Sequence, residues 1–293
     1  MAKELSKALV LEWLQYAQET FSVENIWQEM GIITPSGKDT LRKILWRLDT
    51  EDHVISSLGG HRYRKVNYEV EEVDWQNADE NAEVSLKFPF ELETLCKIYT
   101  KSIIIVAGST NAGKTAWLYN FVALNMNTYA IDLYNSETSP EQMKARFTPL
   151  NIPNPAPFKV YQRYDNFADV IKPDHISVID YLDVNAEFYL VGAEIDKIFR
   201  KLSCGVAVIA LQKPPAQVSL YKGEKQTLDR DLGYGGGTTA KRAALYVSLG
   251  YNKMKLVKVK TPRNPRINPN NKTYSFTLDN GIVFAQIDED YGT

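Results

Sequence analysis

The segment GSTNAGKT at residues 108–115 constrains this chain more than any other. It matches G-x-x-x-x-G-K-[ST] and lies between the apolar run SIIIVA and the helical pattern AWLYNFVALN. A strand that turns through such a loop into a helix aims loop amides and the helix N-terminus at one anion. Gly108 and Gly113 permit backbone angles that a side chain forbids, and Ser109, Thr110, Asn111 and Ala112 complete the cradle between them. Lys114 is spaced to reach the β- and γ-phosphates of a nucleoside triphosphate, and Thr115 to offer a hydroxyl to Mg²⁺.

The residues around the loop support an α/β core. Apolar, β-branched runs at 103–107, 128–133, 158–161, 176–179 and 206–211 are separated by helical patterns at 115–125, 141–147 and 187–202. Strand and helix in alternation imply a mostly parallel sheet covered on both faces. Four later runs, at 243–249, 255–260, 274–278 and 282–287, read as an antiparallel edge joined by turns. In HISVIDYLD the apolar strand ends on Asp180, where an acid would anchor Mg²⁺ through its water shell; Asp183 is the alternative. Glu137, in NSET after the second strand, is either a general base or a cap for the helix SPEQMKARF, and sequence position leaves both open.

Ahead of this core, apolar spacings of three and four give helices at 5–16, 23–30 and 38–48, with Thr34-Pro35-Ser36-Gly37 as a turn. Short strands at 54–55 and 61–66 flank a Gly59-Gly60 turn. Three helices and a hairpin resemble a winged helix-turn-helix domain over residues 1–67. In that reading the third helix enters the major groove of duplex DNA, carrying Lys38, Arg42, Lys43 and Arg47, while the hairpin adds Arg62, Arg64 and Lys65. Acids gather elsewhere in the domain, at Glu4, Glu12, Glu19, Glu24 and Glu29, so charge is segregated as a DNA footprint requires. The run VNYEVEEVDWQNADENAEV has seven acids and no base, and marks an acidic linker over 68–87 before a core at 88–293.

Net charge, −2, gives the molecule no overall attraction to nucleic acid, so any such surface is local. Cys96 and Cys204 stand too far apart for a metal knuckle or disulfide framework. No apolar run approaches the ~20 residues that span a bilayer, and no leader pattern opens the sequence, so a cytoplasmic protein without membrane contact is expected. His53 and His175 have no partner pattern and read as structural.

The stretch PFELETLCKIYTKSIIIVAGSTNAGKTAWLYNFVALN, the elements YNSET and QMKAR, the strand VIDYL and the segment VIALQK resemble the RecA-like ATPase domains of the DnaB-type hexameric helicase family. The resemblance implies a RecA-like core that binds ATP and Mg²⁺, with Glu137 as catalytic glutamate, Asp180 on the metal and Gln212 as γ-phosphate sensor. It implies a homo-oligomer, a hexamer, in which KVKTPRNP carries Lys260 and Arg263 into the neighbour's site, with Lys258 as a variant. LDRDLGYGG, with Asp231-Leu232, resembles the family's later loop. The segment 213–241, with Lys222, Lys225 and Arg230, would then face a central channel and track single-stranded DNA. Two departures stand out: the family's all-helical N-terminal domain is absent, and TTAKRAA replaces the acids that follow the Asp-Leu loop. An ATP-driven, DNA-acting motor is the function implied; the rival is an ATP-switched DNA-binding platform without unwinding.

Overall fold

The computed structural model describes residues 5–182, 190–215, 217–221, 224–228 and 230–290. The chain divides into two compact units, Met1–Ala78 and Asp79–Thr293.

The first unit runs α1 (Lys7–Tyr16), β1 (Thr20–Ser22), α2 (Val23–Glu29), α3 (Pro35–Thr50), β2 (Ile55–Gly59) and β3 (Arg62–Lys65). Its three strands pair in the order β1-β3-β2, all antiparallel. Val10, Ile26, Leu41, Leu45, Leu48 and Ile55 fill its core, and the Trp13 ring meets Phe21 edge-on at 5.2 Å. Two local features differ from expectation. The expected turn at 34–37 is the start of α3: Thr34 accepts the Gly37 N–H on its hydroxyl as N-cap, and Pro35 takes the first position, where no amide donor is needed. β1 was hidden because three residues are too few for a period-2 signal; it exists only by pairing with β3.

The second unit is built on one nine-stranded sheet. Its elements are β4 (Ser102–Gly108), α4 (Lys114–Asn125), β5 (Ile131–Asn135), α5 (Pro140–Phe147), β6 (Lys159–Gln162), β7 (Ile176–Asp180), α6 (Val191–Lys201), β8 (Val206–Gln212), the hairpin β9 (Gln217–Tyr221) and β10 (Glu224–Leu228), α7 (Gly237–Ala240), β11 (Ala243–Gly250), β12 (Lys253–Val259), β13 (Thr273–Asp279) and β14 (Val283–Asp290). The sheet order is β14-β13-β12-β11-β4-β8-β7-β5-β6. From β11 to β6 all pairs are parallel, and β12 to β14 add an antiparallel extension; β11 is the junction, parallel to β4 on one side and antiparallel to β12 on the other. This is a mixed α/β fold built on a mostly parallel nine-stranded sheet.

The continuous apolar strands follow from burial on both faces. Along β4, Ile104 and Val106 face the layer beneath α4, while Ile103 and Ile105 face the layer beneath α6. Trp117 and Phe121 of α4 stack at 5.8 Å and are fully buried. At roughly 25 cal/mol per Å² of apolar surface, such side chains each contribute about 2–3 kcal/mol.

The end of the expected acidic linker is part of this unit. Glu83 bridges Tyr99, the Val84 N–H donates to the Ile98 carbonyl at 2.7 Å, and Leu86 is buried. Asn125 clamps Lys87 at both its N–H (2.9 Å) and its C=O (2.7 Å). The segment expected as a loop at 213–241 contains the β9–β10 hairpin and α7. Lys213 at its start is 2 % exposed and donates to Ser248 Oγ at 3.3 Å and the Leu249 carbonyl at 3.4 Å.

Candidate functional site

Strand register assembles the site. Gly108 pairs with Gln212 across β4 and β8, and Asn135 pairs with Asp180 across β5 and β7, so four strands deliver their C-terminal ends to one edge of the sheet. The loop after β4 then turns onto α4. Asn111 and Gly113 carry positive φ, 59° and 94°, and Gly113 is the N-cap of α4. A Cβ on Gly108 would stand 2.8 Å from the Lys114 Cγ, so a side chain there would expel the lysine.

Within the resulting cleft of about 770 Å³, Lys114, Thr115, Glu137, Gln212 and Thr110 share one space. The Lys114 ammonium donates to the Gly108 carbonyl (3.0 Å), the Ser109 carbonyl (2.9 Å) and Gln212 Oε1 (2.9 Å). Burial holds its pKa below the ordinary lysine value, with Asp180 and Glu137 opposing that shift. Gln212 in turn donates from Nε2 to Thr110 Oγ1 at 3.0 Å, so the sensor candidate touches both ends of the phosphate loop. The Thr115 hydroxyl donates to Asp180 Oδ1 at 3.3 Å. Asp180 is 2 % exposed, and burial pushes its carboxyl up to about 6. A buried acid beside a threonine hydroxyl is a donor set that suits a hard cation retaining most of its waters. Among the described residues no cluster of three or more His, Cys, Asp or Glu forms an all-protein metal cage.

Glu137 lies two residues beyond β5, exposed to the cleft. Its loop is held on both sides. Asn135 Nδ2 donates to the Thr138 carbonyl at 2.5 Å, and the Thr138 N–H donates to Asn135 Oδ1 at 3.0 Å. Ser136 Oγ donates to the Asp180 carbonyl at 3.2 Å and accepts the Tyr181 N–H at 3.1 Å, tying the loop to the end of β7. The capping role left open for Glu137 belongs to Ser139, which accepts the Gln142 N–H in a capping box on α5. Residues that were not singled out as site residues also line the cleft, among them Arg146 of α5, Tyr181, and Asn280 at the β13–β14 turn. Arg146 and Tyr181 lie in QMKAR and VIDYL, elements that carry the resemblance, but no role attached to either residue; Asn280 arrives by tertiary packing alone.

Lys260 and Arg263 differ in setting. Arg263 forms a fork on Glu83, with both nitrogen–oxygen distances 3.1 Å, and donates from Nε to the Glu93 carbonyl at 2.6 Å. Within one chain it is therefore an anchor for the segment 83–96. Lys260 is exposed at the end of β12, with its ammonium in no hydrogen bond to a described residue. Lys258 donates to the Ala240 carbonyl at 2.6 Å, and burial lowers its pKa.

In the first unit, Arg42, Lys43 and Arg47 are exposed on α3, with Arg42 paired to Asp39 at 2.8 Å, and Arg62 and Arg64 are exposed on β3. Lys38 lies over the Trp27 ring at 4.2 Å. Lys65 is a correction: its ammonium turns inward to the Leu14 (2.9 Å) and Ala17 (2.6 Å) carbonyls, where the unpaired C-terminal carbonyls of α1 attract a cation. Of the core-loop residues, Arg230 is exposed, Lys225 lies in β10, and Lys222, like Asp183, lies outside the described residues. Asp231 pairs with Lys255 at 2.6 Å. His175 bonds the buried Asp132 at 2.8 Å, and His53 bonds the Asp49 carbonyl at 3.0 Å. No described helix is long and apolar enough to cross a membrane.

No protein-family model and no curated protein matches the sequence. Among solved structures, the chain is similar to a KaiC-like protein of the hyperthermophilic archaeon Pyrococcus horikoshii. That match has 15% identity and a TM-score of 0.47, covering 70% of this chain and 98% of the other. A likeness of that degree transfers no function.

Proposed function

We propose that the chain is a Mg²⁺-dependent ATPase that works as a homo-oligomer, a hexamer, on DNA. The carrying observation is the convergence of Lys114, Thr115, Glu137 and Gln212 on one cleft at the C-terminal edge of a parallel sheet, with the buried Asp180 bonded to Thr115 behind them. In this reading the backbone of residues 108–115 cradles ATP, and Lys114 exchanges the Gly108, Ser109 and Gln212 oxygens for phosphate oxygens. Thr115 and Asp180 would hold Mg²⁺, which would neutralise phosphate charge when bound. Glu137, fixed by Asn135 and Ser136, orients and deprotonates the attacking water. Gln212, released by Lys114 when phosphate arrives, senses the γ-phosphate, and its bond to Thr110 ties it to the loop. Lys260, exposed, stabilises charge in a neighbour's site; Arg263 joins it only where Glu83 releases it.

The first unit, read as a winged helix, binds duplex DNA through Arg42, Lys43, Arg47, Arg62 and Arg64. Lys222, Lys225 and Arg230 supply a second contact to single strands. The test is hydrolysis measured with and without DNA. Lys114→Ala is expected to abolish ATP binding, and Glu137→Gln to bind ATP but hydrolyse it about 10²–10⁴-fold more slowly. Wild-type binding of ATP without any hydrolysis, in the presence of Mg²⁺ and DNA, would sink the catalytic reading. DNA-stimulated hydrolysis without displacement of a forked strand would favour the switched platform over the motor.

A further inference from the structure

Two walls of the nucleotide cleft differ in chemistry, and Gln142, Arg146 and Tyr181 line a further part of it. One holds the groups already assigned to phosphate, metal and water: Lys114, Thr115, Glu137 and Gln212. The other is the tip of the β13–β14 hairpin, through Leu278, Asn280 and Gly281. This second wall carries no charge and no group suited to phosphoryl chemistry, yet it borders the phosphate loop directly.

The hairpin is fastened there. A Cβ on Gly113 would stand 3.0 Å from Leu278 Cδ1, so the leucine lies against the loop backbone. Asn120, in the second turn of α4, donates from Nδ2 to the Ile282 carbonyl at 2.7 Å. Behind the tip, Phe284 packs on Phe90 at 4.9 Å and on Phe276 at 5.0 Å, which fixes the two strands to the core. The tip is therefore a rigid wall beside the first turn of α4. Amides at a helix N-terminus fix the phosphates, so a ribose and base would extend from that turn into the rest of the cleft, which the hairpin tip borders.

Asn280 has what a base reader needs. It is exposed to the cleft, with φ 52° in the turn, and its carboxamide bonds to no described residue. Nearby turn asparagines are used differently: Asn264 accepts the Arg266 N–H, Asn268 the Asn270 N–H, and Asn270 the Val259 N–H. A carboxamide presents a donor and an acceptor side by side, complementary to the adenine amino group and its adjacent ring nitrogen.

We propose that the β13–β14 tip is the base-recognition element of this cleft, with Asn280 pairing to the amino edge of adenine and Leu278 flooring the ring. The proposal rests on the nucleotide reading above and names the part of the site that sets base specificity. A cleft of about 770 Å³ accommodates a nucleoside triphosphate.

The experiment is calorimetric titration of the full chain, with Mg²⁺, against ATP, GTP and inorganic tripolyphosphate. Asn280→Gly keeps a residue that tolerates positive φ, so the turn persists; Asn280→Asp keeps the shape but removes the donor. Both variants are expected to lose about tenfold in ATP affinity, to keep wild-type tripolyphosphate affinity, and to lose the preference for ATP over GTP. Lys114→Ala is expected to weaken all three ligands together. ATP affinity and selectivity unchanged in both Asn280 variants would overturn base recognition while leaving the phosphate site intact. Wild-type protein that binds neither ATP nor tripolyphosphate would overturn the nucleotide reading itself, and this proposal with it.

Discussion

Asp180 shows how a single side chain can be set against stability. Its carboxyl is buried, and desolvation raises it from 3.8 to about 6 against the opposing bond from Thr115. Between those two values the folded chain holds more protons than the unfolded one, so this residue's contribution to stability falls as pH rises through that window. Above about 6 the metal-free fold carries the full cost of the buried charge, about 3 kcal/mol. Asp180→Asn is therefore expected to raise the melting temperature of the metal-free protein at pH 7–8 and to give little gain below pH 4, measured by thermal unfolding. Equal gains at both pH values would mean the carboxylate is not desolvated. The phosphate loop was legible from its own residues because its spacing encodes its geometry. Asp180 was legible too, because an acid ends an apolar run. Arg146 and Tyr181 lay in elements that were recognised but without a role of their own, and Asn280 was not legible, because no local pattern separates a hairpin asparagine that walls the cleft from any other turn asparagine.

Elements show the same division. α3 was placed three residues late because Thr34-Pro35-Ser36-Gly37 has turn composition, yet a capping threonine and a proline also begin helices. The acidic run misled more. Its charge predicts a solvated tether, but Glu83 is consumed by the Arg263 fork and Lys87 by the Asn125 clamp. Both partners are distant in sequence, so composition alone carries no trace of them. Glu83→Ala is expected to destabilise the second unit by about 1–2 kcal/mol in urea unfolding, because it leaves a guanidinium beside the Glu93 and Cys96 carbonyls without its counter-charge. ATP affinity of the single, unassembled chain should be unchanged, since Glu83 is not a cleft residue. A fall in ATP affinity without loss of stability would contradict the anchoring role.

At the scale of the molecule, the two units have separate cores, and the cleft belongs wholly to the second. The proposed assembly makes each site depend on a neighbour's Lys260. Chains carrying Glu137→Gln and Lys260→Ala are each expected to be inactive alone. Mixed, they regenerate interfaces with an intact glutamate on one side and an intact lysine on the other. Recovery of hydrolysis on mixing is the expected result; no recovery, with oligomers shown to exchange chains, would place Lys260 outside the site. The sequence by itself determined the phosphate loop, the strand–helix alternation and the acids at strand ends, because each is written in spacings of a few residues. Tertiary structure decided the rest: which strands lie side by side, that Lys65 and Arg263 point at their own chain, and that a distant hairpin walls the cleft. Those outcomes depend on contacts between residues as far as 180 positions apart, a separation at which local pattern carries no information.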